Sequence, residues 1–210
     1  MCGRFNVIDD PLSKLVSDWL KIDFKPTESN SNVCPSQSVD CLIATSANNQ
    51  SVTQIAQQAY PWGLRTDWSN KLLINARSET VAEKTTFRSG FSSKRCIIPI
   101  SSWYEWKTDF SGNKTKYEFI PKDGALLMAG ILVKQVNSYS NQGSFDLDQI
   151  APDYYLVSLT TTANKQCQPI HSRMPLMINQ DAAENWLYGD FEQAKRLLDG
   201  KMPVLDIKSY

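Results

Sequence analysis

A chain of 210 residues, 41% hydrophobic and 21% charged, is long enough to bury a core without staples and has ordinary globular composition. Five cysteines without a Cys-x-x-Cys pair, and a single histidine, argue against a zinc site and against a disulfide framework, so reduced thiols, no metal and no cofactor are expected. The formal net charge of zero argues mildly against a nucleic-acid binder, no apolar run is long enough to span a bilayer, and the opening MCGRFNVIDD lacks the basic region and apolar core of a signal peptide.

Asp10-Pro11 reads as an N-cap followed by proline at the first helical position, and Leu12, Leu15, Val16, Trp19 and Leu20 continue at helical spacing. The polar stretch KPTESNSN reads as loop. Val39 to Thr45 and Val52 to Tyr60 read as strands around a turn at Ser46 to Gln50. Lys94 to Ile100 is a predicted buried strand. Trp103 to Thr108 and Lys116 to Pro121 are predicted to form a hairpin around Asp109 to Asn113, with Gly112 supplying the turn. Ala125 to Lys134 reads as an apolar strand, Gln135 to Pro152 as a long surface loop, and Tyr154 to Thr162 as a strand rich in β-branched and aromatic residues. Asp181 and Asp190 are candidate caps of two helices, the first through Leu187 and the second through Leu198, closed by Gly200. The chain shows no repeat, low-complexity tract or linker. The sum is an α+β fold: one β-rich domain over residues 1–210, with a curved or barrel-like antiparallel sheet and a few short helices.

Charge is unevenly spread. Between Pro61 and Lys107 there are eight basic residues against four acidic ones, whereas acids collect after Asp146, so a local positive field is compatible with neutrality overall. Trp62, Trp68, Trp103 and Trp106 fall in the basic stretch. Interleaved aromatics and arginines suit stacking on unpaired bases, although core packing accounts for most tryptophans; Trp68, between Asp67 and Ser69, is the one expected to be exposed.

Cys2 stands next to Met1, and a small residue there permits removal of the methionine. The mature chain would then begin with an α-amine and a thiol on adjacent carbons. The amine has a reference pKa of about 7.7–8.0, and the thiol is the best intrinsic nucleophile among side chains. Together they can capture an aldehyde as an imine and close it to a thiazolidine. By position alone an ordinary cysteine near a frayed terminus is the stronger reading. His171, between Pro169 and Pro175, is the chain's only group with a reference pKa near 7. Glu105 lies among Trp103, Tyr104 and Trp106, where a carboxyl's pKa tends to rise; an exposed strand glutamate is the even alternative. In Asn75-Ala-Arg77-Ser78-Glu79, a strand end leads into a turn or a short helix capped by Ser78. Asn75 can donate to an oxygen and Arg77 can bind phosphate, although a turn asparagine and a surface arginine are the plainer reading.

Taken in order, Met-Cys2-Gly3-Arg4-Phe5, Asn32-Val-Cys34-Pro35, Trp62-Gly63, Asn75 to Glu79, Trp103-Tyr-Glu105-Trp106 and His171-Ser-Arg173-Met-Pro175 resemble the SRAP (SOS-response-associated peptidase) family over almost the whole chain. The resemblance implies a protein that binds abasic sites in single-stranded DNA and forms a thiazolidine crosslink through its N-terminal cysteine. By motif, Cys2 is the nucleophile, with Asn75, Glu105 and His171 around it orienting the sugar and moving protons. Arg4, Arg77 and Arg173 match phosphate-contacting positions, and Trp68, Trp106 and the Asn32–Pro35 loop match positions near the bases. The family name also records an autoproteolytic, hydrolase-type activity ahead of the cysteine. The reading implies a monomer, cytoplasmic or nucleoid-associated, with no membrane partner. Two departures stand out: Cys34 replaces a small alanine-like residue and would add a second thiol, and the chain stops at Tyr210, where a further segment is expected. The rival readings are a cysteine-dependent peptidase or amidohydrolase using Cys2 with His171, and a non-catalytic single-strand-binding module.

Overall fold

The structure, a computed structural model, describes residues 2–46, 53–135, 153–199 and 204–210. In chain order the elements are β1 (Arg4–Val7), α1 (Asp9–Leu20), β2 (Asn30–Val33), β3 (Ser38–Ser46), β4 (Thr53–Pro61), β5 (Leu64–Thr66), β6 (Ser69–Leu73), β7 (Asn75–Arg77), α2 (Thr85–Ser93), β8 (Arg95–Ile100), β9 (Ser102–Thr108), β10 (Lys114–Pro121), β11 (Leu126–Lys134), β12 (Tyr154–Thr162), β13 (Arg173–Pro175), α3 (Ala183–Tyr188), α4 (Phe191–Arg196) and β14 (Leu205–Ser209). The α+β class holds, and most strand pairs are antiparallel. The strands form two principal sheets, not a closed barrel. One has the order β14-β10-β9-β1-β2; the other runs β13-β12-β11-β8-β3-β4, with β7 added in parallel to β12.

The centre of the second sheet is the pair β8–β11, in register from Leu126 opposite Ile100 to Ile131 opposite Arg95. Both strands are buried on both faces except at Lys134, which is why they read as continuous apolar runs and not as alternating ones. Arg95 is the one buried cation there. Its guanidinium donates to the carbonyls of Phe91 (2.8 Å) and Ser92 (3.1 Å) at the end of α2, and its Nε to the Trp186 carbonyl (2.5 Å) in α3. A fixed charge among C-terminal helix carbonyls satisfies those acceptors and favours the dipole. Phe5 of the first sheet meets Trp62 beside the second at 4.9 Å between ring centroids, so the two sheets share one core.

Several expectations need correction. Asp10 is extended, but no side chain caps α1. Residues 30–32 of the expected loop pair with β1 as part of β2. The cap at the start of α3's preceding turn is Asn179, whose side chain accepts from the Ala182 N–H, and not Asp181. Ser78 opens a turn and caps no helix. Asp190 does cap α4, in a full capping box with Gln193, but α4 ends at Arg196. The predicted turn at residues 47–50, the loop at 136–152 and the Gly200 stop lie outside the described residues.

Gly90 lets α2 lie directly on β11. A β-carbon placed on it would sit 2.7 Å from the Leu132 carbonyl oxygen, a backbone atom that cannot step aside. Gly90→Ala, which in a free helix would gain about 1 kcal/mol, is therefore expected to lose about 1–3 kcal/mol. Urea unfolding measures this; an unchanged midpoint would show that α2 can lift away.

Candidate functional site

The N-terminal segment enters the seam between the two sheets. β1 pairs antiparallel with β9, with Phe5 opposite Trp103 and Arg4 opposite Tyr104, and running that register on brings Glu105 toward the residues before Arg4. Cys2 is fully buried, its thiol 3.8 Å from the Arg4 carbonyl. Burial first, and the charge of Glu105 second, push the Cys2 thiol far up, so it stays protonated at neutral pH. Glu105 is only 3% exposed. Burial holds its carboxyl above the usual range, opposed in part by neighbouring ionisable groups, His171 among them. The exposed-glutamate alternative is therefore wrong for this residue. Cys167, a second buried thiol, is pushed up to about 11 by burial and again by Glu105, which places it in the same electrostatic neighbourhood.

From the second sheet comes Asn75. Its Nδ2 donates to the Cys2 carbonyl at 2.9 Å, and its Oδ1 accepts from the Ser158 hydroxyl at 2.6 Å. The parallel register of β7 on β12 sets Ser158 beside Asn75 and so fixes which end of the amide faces Cys2. His171 lies just before β13. Its Nδ1 accepts from the Arg173 N–H at 2.9 Å, which puts the proton of the neutral ring on Nε2. A thiol, a carboxyl of raised pKa, an oriented amide and an imidazole thus converge from four separate segments.

Around this centre the polar residues fall into groups. Arg4 donates to Asn32 Oδ1 at 2.9 Å and has its guanidinium carbon 6.0 Å from the centroid of the Trp106 ring, so the three form one surface; Pro35 and Cys34 follow in the next turn, half-buried. Arg77 is exposed at the end of β7. Arg173 is held: both terminal nitrogens grip Glu79, at 2.5 and 2.9 Å, and one donates to the Thr160 carbonyl at 2.6 Å. That pairing lowers the Glu79 carboxyl to about 2. Trp68, 71% exposed, tips the β5–β6 hairpin apart from these groups. Sequence reasoning missed Ser158 and Thr160, and named Glu79 without a role. Among the described residues no group of His, Cys, Asp and Glu is arranged to hold a metal, and no helix is long and apolar enough to cross a membrane.

This geometry defines a two-sheet protein with a buried cysteine, Cys2, at the seam. The sequence model of the SOS response associated peptidase (SRAP) family matches residues 1–208, and the chain belongs to that family. It is 33% identical over 198 residues to the abasic site processing protein YoaM of Bacillus subtilis, covering 89% of this chain and 79% of that protein. It is 29% identical over 195 residues to the abasic site processing protein YedK of Escherichia coli, covering 89% and 79%. A solved protein from Bordetella bronchiseptica shares the fold, with a TM-score of 0.75 at 20% identity over 100% of this chain and 99% of that one.

Proposed function

We propose that this protein captures the aldehyde of abasic sites in single-stranded DNA as a covalent thiazolidine on Cys2, after Met1 is removed, and so shields the lesion. The observation that supports this best is the convergence of Glu105, Asn75 and His171 on the residue that would carry both thiol and amine. The α-amine adds to the aldehyde carbon, and loss of water gives an imine. The thiol sulfur then bonds to the imine carbon, and its proton ends on the nitrogen. No electrons are gained or lost. Glu105 is the proton carrier for both steps, since it lies beside Cys2 and burial raises its pKa, which favours a carboxyl with a proton to give. Asn75 holds the Cys2 backbone, and His171 is the acid/base at the sugar hydroxyl. Arg4, Arg77 and Arg173 take phosphates, while Asn32, Pro35, Trp68 and Trp106 lie along the bases. Glu79 makes Arg173 a positioned donor and not a freely swinging one.

The direct test is intact mass after mixing with an abasic oligonucleotide. The expected species is the chain without Met1 plus the oligonucleotide minus one water. A protein that stays at its own mass in the presence of the abasic DNA would rule the reading out.

Arg77→Ala is expected to weaken capture whatever the flanking bases. It should also lower the slope of log affinity against log salt by about 0.7, the value for one phosphate contact on a single strand. Fluorescence anisotropy at several salt concentrations measures both; an unchanged slope would remove Arg77 from the DNA path.

A further inference from the structure

Beside the β5–β6 hairpin lies a cleft of about 530 Å³, of whose lining only Trp68 enters the function proposed above. Three cations line it, Arg65, Lys94 and Lys134, against one carboxylate, Asp67. Among the described residues none of these cations is in an ion pair. Lys94 Nζ lies 5.5 Å from the centroid of the Tyr154 ring, which keeps a charge and an aromatic face together in the cleft. Trp68 stands at the rim, and the hydroxyl-bearing face of α2, with Ser89 and Ser93, forms one wall.

Cations for phosphates, aromatic faces for bases and hydroxyls between them are the makings of a single-strand subsite. Two strands run from the cleft toward the reactive centre. β6 ends at Leu73, two residues before Asn75. β12 carries Tyr154 at the cleft and Ser158 at the centre, an even spacing that puts both on one face, about 13 Å apart at 3.3 Å per residue. That is within reach of a strand covering about four nucleotides, the smallest footprint of single-strand-binding folds.

We infer that the cleft bounded by Arg65, Lys94, Lys134 and Tyr154 is a second DNA subsite, which holds a flank of the strand whose lesion sits at Cys2. This rests on the proposed function, and it adds that affinity depends on strand length beyond the lesion. An acidic peptide would use the lysines but would have no need of the Tyr154 and Trp68 faces.

The test compares the parent protein with the double variant Lys94→Gln/Lys134→Gln and with Tyr154→Leu, each checked by thermal melting. Affinity is read by anisotropy on oligonucleotides carrying a non-reactive tetrahydrofuran abasic analogue, either short or extended on one side or the other. Crosslinking rate is read on the matching short abasic oligonucleotide. The parent should gain affinity from an extension on one side. Tyr154→Leu should lose about fivefold or more of that gain, the lower end of one base–aromatic stack. The double variant should lose the gain and lower the salt slope by about 0.7 per lysine. All three should crosslink the short oligonucleotide at one rate. Variants that keep the full length-dependent gain overturn the subsite, as do variants that lose as much on the short oligonucleotide as on the long. A parent that binds the extension through this cleft but never crosslinks leaves the subsite standing and removes the thiazolidine chemistry instead.

Discussion

Cys2→Ala is expected to abolish the stable crosslink outright, the largest effect of any single change. The alanine variant keeps a free α-amine once Met1 is gone, so it should still form the imine. An imine is reversible and labilises the sugar toward β-elimination, so the variant should nick abasic DNA where the parent is expected to protect it. Borohydride separates the two cases, because reduction would trap the imine of the variant as a covalent adduct while the parent should crosslink without it. A tag left ahead of Cys2 converts the amine to an amide, which cannot form an imine, so crosslinking and nicking should both vanish unless the chain trims itself. Gels of parent, alanine variant and tagged protein, each with and without borohydride, read all of these outcomes. The idea sinks if an untrimmed tagged protein crosslinks as well as the mature one. A direct thiol adduct, or a lysine amine, would then be required. Cys34 and Cys167 are the other thiols to exclude; the first is half-exposed beside Asn32, and the second is buried within the field of Glu105.

How much of this was legible depended on how local the signal was. The β9–β10 hairpin follows from its own residues: Asp109 Oδ1 accepts from the N–H groups of Ser111 and Asn113 at 2.9 and 2.8 Å, and Gly112 takes the positive φ of 86° that the turn needs. β12 begins and ends where its β-branched and aromatic run does. β5 and β6 were invisible, because Arg65 to Lys71 is short and polar with no apolar alternation to mark a pair of strands. β2, β13 and β14 are likewise short strands whose partners lie far away in sequence, whereas the strand end read at Asn75 is β7. At the site, the motifs carried Cys2, Asn75, Glu105 and His171. Ser158 carried no signal: its role arises only when β7 docks on β12, bringing together residues 83 apart. The grip of Glu79 on Arg173, 94 residues away, is equally a product of the finished fold.

Glu105→Gln should slow crosslinking by about a hundredfold or more, the usual cost of losing a positioned acid or base, while leaving the protein folded. The folded-state pKa of Glu105 is raised, burial being the main cause, so the fold favours the protonated carboxyl. Stability owed to that neutral form is fully present below the unfolded value of about 4.3 and is lost as pH rises through the raised folded value. Glutamine is neutral throughout and nearly the same shape. Below about pH 4 the variant and the parent should therefore melt together, and above the raised pKa the variant should melt higher, with the gap opening between those limits and then holding level. The same carboxylate raises the Cys2 thiol, so removing its charge should also ease thiol ionisation. The rate deficit of the variant should shrink toward alkaline pH, where the thiol needs less help to lose its proton. Melting curves and single-turnover crosslinking rates across the same pH series check the two halves independently. A variant that melts like the parent at every pH would show that the carboxyl is not held neutral by the fold. One that crosslinks at the parent rate would move proton transfer elsewhere, first to His171, which lies within electrostatic reach of the carboxyl.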